Sequence, residues 1–196
     1  KKEVIERFQK AATDFIGGHK VDEIRAIGED IYSEFVSPSL WSGTMAIAKR
    51  HLSQGDEVWL VTASPKDFAD LIAEKLGFTG ALGTIAEIKD GKYTGNLTGR
   101  LLHGVEKAKA VIELVKNRNI NIEDCYAYSD SHNDLPLLNA VGYPNAINPD
   151  AKLRIISFSQ GWPVHDFRKL RWLNRFIGPF VSRIAGFWTY LTARKK

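Results

Sequence analysis

Short apolar runs alternating with amphipathic helices predict an α/β fold built on a parallel sheet covered on both faces. Three observations carry the prediction: the nearly all-apolar run Val58-Trp59-Leu60-Val61-Thr62, a second run from Cys125 to Tyr128, and apolar residues at helical spacing before, between and after them. The 196 residues, 44% hydrophobic and 26% charged, suffice for one domain with a sizeable core and exclude a wholly disordered chain. The single cysteine, Cys125, excludes an internal disulfide framework and a Cys-rich zinc site, and it fits a reducing, cytoplasmic compartment. No run approaches the roughly 18 consecutive apolar residues of a membrane span.

Val4, Ile5, Phe8, Ala11, Ala12, Phe15 and Ile16 share one face of a first helix, which Gly17-Gly18 ends. Ile24, Ile27, Ile31 and Phe35 repeat the pattern in a second helix, with Asp22 and Glu23 near its positive N-terminus, so residues 1–36 read as a helical hairpin. Ser37-Pro38 ends it, and a third helix is expected over 40–54. Val58–Thr62 then reads as a strand buried on both faces, and Ser64-Pro65 as the cap and first residue of a helix running to about Leu76. A strand or strand pair follows over 81–88, and Asp90-Gly91 before Tyr93-Thr94-Gly95 reads as a hairpin turn. Next come a helix over 105–116, the strand from Cys125, a short helix over 135–140, and the strand fragment Ala146-Ile147.

In open parallel sheets ligands bind beyond the carboxyl ends of the strands, so polar residues placed where an apolar strand stops are the candidates for chemistry. Two such ends stand out, Thr62-Ala63-Ser64 and Ser129-Asp130-Ser131-His132-Asn133-Asp134. Asp130 and Asp134 are hard oxygen donors without His or Cys company, a set that suits Mg²⁺, and the same residues also suit a helix cap. Thr62 and Ser64 can hold an anion with the N–H groups of the following helix, or simply cap it. Lys107, in Gly104-Val105-Glu106-Lys107, adds a point charge for a phosphate, or is a solvated first-turn lysine. The order of hydroxyl, lysine and paired carboxylates, each near an element end on one sheet edge, favours the phosphate reading over each alternative taken singly.

Val58-Trp59-Leu60-Val61-Thr62-Ala63-Ser64-Pro65, Gly104-Val105-Glu106-Lys107 and Tyr128-Ser129-Asp130-Ser131-His132-Asn133-Asp134-Leu135-Pro136 resemble motifs II, III and IV of the haloacid dehalogenase superfamily, in its phosphoserine-phosphatase-like branch, subfamily IB. Asp90-Gly91-Lys92-Tyr93-Thr94-Gly95 and Gly161-Trp162-Pro163-Val164-His165-Asp166-Phe167 are similar to the same branch. The resemblance implies an Mg²⁺-dependent phosphomonoester hydrolase with a Rossmann-like core over 37–165 and a helical cap, part of which is 1–36. It implies that Thr62, Ala63, Ser64, Lys107 and Asn133 hold the phosphoryl group, that Asp130 ligates Mg²⁺, and that Asn133 and Asp134 support the metal waters and the loop. His132 takes no role from the resemblance and reads as a solvated loop histidine.

The family's first strand ends in Asp-x-Asp, whose carboxylates act as nucleophile and general acid/base. No Asp-x-Asp occurs in these residues. The expectation is that this strand lies outside the sequence, that a preceding segment or a neighbouring copy supplies it, and that the chain alone is inactive. The contrasting expectation is a catalytically inactive module of the same fold that docks on a membrane or a protein partner.

Eight of the 27 Lys/Arg and one of the 23 Asp/Glu fall in 166–196, so this tail carries +7 and the rest of the chain −3. Phe167, Leu170, Leu173, Phe176, Ile177, Phe180, Ile184, Trp188 and Leu191 form an apolar helical stripe, with basic residues largely off it. A basic amphipathic helix of this kind suits peripheral contact with an anionic membrane, which would make a lipid phosphomonoester a substrate candidate beside small molecules; packing on the protein's own core or in a homo-oligomer competes. The net negative body argues against nucleic acid.

Overall fold

A computed structural model describes residues 16–168. The expected first helix and nearly all of the basic tail lie outside the described residues. Helix α1 (Val21–Ile31) places Asp22 and Glu23 in its first turn, with the Glu23 carboxylate accepting from the Lys20 backbone N–H at 3.2 Å. It continues into a π-helical turn at Tyr32–Val36 and a further helical turn at Ser37–Ser39. Helix α2 (Ser42–Ser53) follows, close to the expected span.

Strand β1 (Trp59–Pro65), helix α3 (Lys66–Leu76) and strand β2 (Gly80–Thr84) form a βαβ unit whose strands pair in parallel from Trp59↔Gly80 to Val61↔Leu82. Gly77, at φ 69°, takes the left-handed conformation that ends α3, as its glycine allows. Strands β3 (Ala86–Lys89) and β4 (Lys92–Leu97) make the expected hairpin; Asp90 at φ 52° and Gly91 at φ 72° supply the double positive φ of a tight turn. Helix α4 (Val105–Asn117) leads to strand β5 (Tyr126–Ser129), short helix α5 (Leu135–Leu138), strand β6 (Tyr143–Ile147), helix α6 (Ala151–Gln160) and strand β7 (Val164–His165). Strands β5, β6 and β7 pair in parallel in that order.

The α/β class with parallel pairing is as predicted, with two corrections. The strands form one parallel pair, one parallel triplet and the hairpin, so among the described residues β1 and β5 each pair along one edge only. Strand β1 is therefore half-buried along its whole length instead of buried on both faces. Ser64 is also part of β1, and Pro65, with no side-chain bond, precedes the first residue of α3; the Ser64 hydroxyl turns toward Thr62 instead of capping the helix.

The main core lies on one face of the triplet, where Ala127 and Ala146 pack with Ala108 of α4, Leu137 and Leu138 of α5, and Leu153 of α6. Leu138 and Leu153 are completely buried, each contributing about 1.5–3 kcal/mol by removal from water. On the opposite face the buried His51 of α2 bridges Asp56 Oδ2 and the Tyr128 hydroxyl, at 2.8 Å each, beside the Tyr126 ring. Helix α1 is held against α3, where a Cβ on Gly28 would stand 3.3 Å from both Phe68 and Leu71, and by the ion pairs Arg25–Glu74 and Lys75–Glu29. A buried Tyr93 joins α3 to the hairpin by donating its hydroxyl to Asp67 at 2.8 Å; burial first, then the Asp67 carboxylate, push its pKa well up.

Candidate active site

The carboxyl ends of β1 and β5 carry the polar residues that the sequence singles out. At β1 the strand bulges: Val61 pairs with Leu82 and Pro65 with Thr84, so Thr62, Ala63 and Ser64 together face a single residue, Gly83. The bulge closes on itself, with Thr62 Oγ1 donating to Ser64 Oγ and accepting from the Ser64 N–H, both at 3.1 Å. Bulges of this kind re-aim side chains at the ends of strands. Two hydroxyls and the backbone amides entering α3 are thereby gathered in one turn, a donor set suited to an anion.

At β5 the chain leaves the sheet through a one-turn 3₁₀ helix at His132–Asp134. Ser131 caps it, its hydroxyl oxygen accepting from the Asn133 N–H at 3.2 Å and from the Asn133 side-chain amide at 3.1 Å. The capping alternative thus belongs to Ser131 and leaves both aspartates for other work. Asp134 is buried, and its Oδ2 accepts from Lys107 Nζ at 3.0 Å and from the Ser129 hydroxyl at 2.8 Å. Asp130 is exposed at the strand end, and its carboxylate takes no hydrogen bond among the described residues. Its backbone carbonyl accepts from the Asp150 N–H at 2.7 Å, which fixes where the carboxylate starts.

His132 departs from the solvated reading, because its backbone N–H and its ring Nδ1 both engage Asp150 Oδ2 at 2.9 Å. Burial works to raise the Asp150 carboxyl, but hydrogen bonds from the Leu153 and His132 N–H groups and the His132 ring outweigh it and bring the carboxyl down to about 2. Asp150 thus both caps α6 and pins the loop that carries Asp130.

The structure joins Lys107, Asp134 and Ser129 directly and brings the loop before α4 beside the β5 loop, where a Cβ on Gly104 would lie 3.6 Å from the Asn133 carbonyl oxygen. The β1 end is linked to that loop through a residue that sequence reasoning did not single out. Thr84, buried at the end of β2, donates to the Ala63 carbonyl at 2.8 Å and accepts from the Leu102 N–H at 3.1 Å. Asp150 is likewise new, and only its contacts with the β5 loop reveal it; Ser129 lies in the strand end that the sequence singles out, but its bond to Asp134 shows only in the structure.

As a metal site the β5 end offers the single unengaged carboxylate of Asp130, and no group of three His, Cys, Asp or Glu side chains assembles among the described residues. A hard oxygen donor of this kind suits Mg²⁺, which takes one or two protein carboxylates and keeps its waters.

Several known proteins are similar to this chain. A phosphoserine phosphatase of Mycobacterium tuberculosis is 48% identical over 163 residues, covering 83% of this chain and 53% of its own. A Mycobacterium leprae hydrolase is 44% identical over 188 residues, covering 96% of this chain and 63% of its own. The chain therefore spans only about half to three fifths of these relatives. Among solved structures, a Bordetella pertussis protein of unknown function superposes with a TM-score of 0.77 at 30% identity, covering 85% of this chain and 80% of its own. A substrate-bound phosphoserine phosphatase superposes at 0.51 with 26% identity, covering 67% of this chain and 61% of its own. Residues 4–139, which include both strand ends and the Lys107–Asp134 pair, match the haloacid dehalogenase-like hydrolase family, and the chain belongs to that family.

Proposed function

We propose that the full-length protein is an Mg²⁺-dependent phosphatase of phosphomonoesters, of the phosphoserine-phosphatase-like type. The observation that carries this reading is the half-buried Lys107–Asp134–Ser129 cluster, held beside the Asn133 loop at one strand end and tied through Thr84 to the hydroxyl-lined bulge at the other. Thr62, the Ala63 and Ser64 turn and Asn133 bind the phosphoryl oxygens, while Lys107, oriented by Asp134, offsets their charge. Asp130 would hold Mg²⁺, which would supply Lewis-acid stabilisation of the phosphoryl group. The nucleophile is an aspartate on a strand between β1 and β5: its carboxylate attacks phosphorus, the P–O bond to the alcohol breaks as a general acid protonates the leaving oxygen, and water then hydrolyses the aspartyl-phosphate to free phosphate. Relatives named phosphoserine phosphatase and a solved phospho-aspartyl intermediate analogue of that enzyme support this step.

The test is release of p-nitrophenol from p-nitrophenyl phosphate by the full-length protein. Activity is expected to vanish with EDTA and return with Mg²⁺; hydrolysis indifferent to chelation contradicts the proposal, and a metal-supplemented protein with no turnover supports an inactive docking module of the same fold.

For residues 166–196, the +7 charge and apolar stripe support contact with an anionic membrane, and with it a lipid phosphomonoester as substrate. The basic residues of that stretch suit a peripheral contact at the surface; among the described residues no helix is long and apolar enough to cross a membrane.

A further inference from the structure

Thr84 does more than fill the end of β2. Its hydroxyl is shared between two segments that arrive from opposite directions. It donates to the Ala63 carbonyl inside the β1 bulge at 2.8 Å and accepts from the Leu102 N–H at 3.1 Å, five residues before Lys107. The residue is 4% exposed, so neither bond is replaced by bulk water when the hydroxyl is lost. Gly83 beside it keeps the bulge in place by having no side chain. A Cβ there would stand 2.6 Å from Lys66 Cα and 3.0 Å from the Ser64 carbonyl oxygen. The bulge has no further partner across the pair, because β1 resumes its register only at Pro65↔Thr84.

We propose that Thr84 is a positioning residue that sets the distance between the phosphate-binding turn at 62–64 and Lys107. One hydroxyl orients the Ala63 peptide, and with it the Thr62 and Ser64 hydroxyls. The same hydroxyl anchors Leu102, from which the chain runs through Gly104 into α4. Removing it leaves each half of the site intact and frees one to move relative to the other, and misplacement by about 1 Å is enough to slow a reaction roughly a hundredfold. This inference rests on the phosphatase reading above.

The experiment compares full-length wild type, Thr84→Val and Thr84→Ser on p-nitrophenyl phosphate with saturating Mg²⁺, alongside thermal unfolding. Thr84→Val is expected to lower kcat by roughly ten- to a hundredfold with KM changed far less, and Thr84→Ser to restore kcat. A residue needed only for folding would lower the melting temperature and leave the kcat of the folded fraction unchanged, and that result overturns the proposal. If Thr84→Val does not fold, Thr84→Cys takes its place, because a thiol keeps the volume but donates weakly. Equal kcat for the Cys and Ser variants also overturns the proposal. A wild type without activity overturns the phosphatase reading and this inference with it, whereas an active wild type matched by Thr84→Val overturns this inference alone.

Discussion

Lys107 and Asp134 keep only 13% and 11% of their side-chain surface and stand 3.0 Å apart, so each is the other's compensation for burial. Removing one partner leaves an uncompensated charge: Asp134→Ala is expected to cost about 3–5 kcal/mol in urea denaturation. The double variant Lys107→Met/Asp134→Leu is expected to recover most of that stability without recovering activity, which separates the pair's role in folding from its role in phosphate binding. Asp150 gives a pH prediction. Its folded carboxyl lies at about 2, below the ordinary 3.8 expected when unfolded, so the unfolded chain takes up the proton first as acid is added. Its stabilising contribution is therefore complete above about pH 5 and fades as the pH falls through about 2. The stability difference between wild type and Asp150→Asn, measured by denaturant at pH 6 and pH 3, should shrink at the lower pH; a constant difference would contradict the assignment. The candidate residues Thr62, Ser64, Lys107, Asp130, Asn133 and Asp134 were legible as candidates because each sits near the end of a strand or the start of a helix. Thr84 and Asp150 were not, since their meaning depends on distant partners such as Ala63 and His132, which local spacing does not identify.

At the level of elements, the hairpin was legible because Asp90-Gly91 needs two positive φ angles that few other pairs supply. The end of β1 was not. The apolar run stops at Thr62, whereas the strand continues to Pro65 through a bulge created by pairing with β2, a tertiary effect invisible to local pattern. The same pairing drew Ser64 out of its expected cap. Gly83→Ala tests the bulge directly, because the added Cβ meets Lys66 backbone at 2.6 Å and 2.9 Å. It is expected to lower stability by roughly 1–3 kcal/mol in urea denaturation and to reduce phosphatase turnover as well. A midpoint equal to wild type would show that the turn has room the structure does not give it.

Across the whole molecule, alternating periodicities made the α/β class legible, and the match over residues 4–139 places the chain in the haloacid dehalogenase-like hydrolases. How the strands divide was not legible, because sheet order depends on which edges meet, and among the described residues β1 and β5 are each paired along one edge only. Charge separates in the same way along the sequence, −3 over residues 1–165 and +7 over 166–196. At about 1 kcal/mol per basic residue near an anionic surface, the chain should co-sediment with phosphatidylglycerol-containing vesicles and lose most of that binding without residues 166–196. Equal binding by both would remove the tail from the account. The most direct test of the central claim is Mg²⁺-saturated hydrolysis of p-nitrophenyl phosphate by full-length wild type and Asp130→Asn. Because the Asp130 carboxylate takes no hydrogen bond among the described residues, the substitution should leave the melting temperature unchanged while lowering turnover by roughly a hundredfold or more. Turnover within a few-fold of wild type at that same melting temperature would contradict the placement of the metal, and with it the site as a whole.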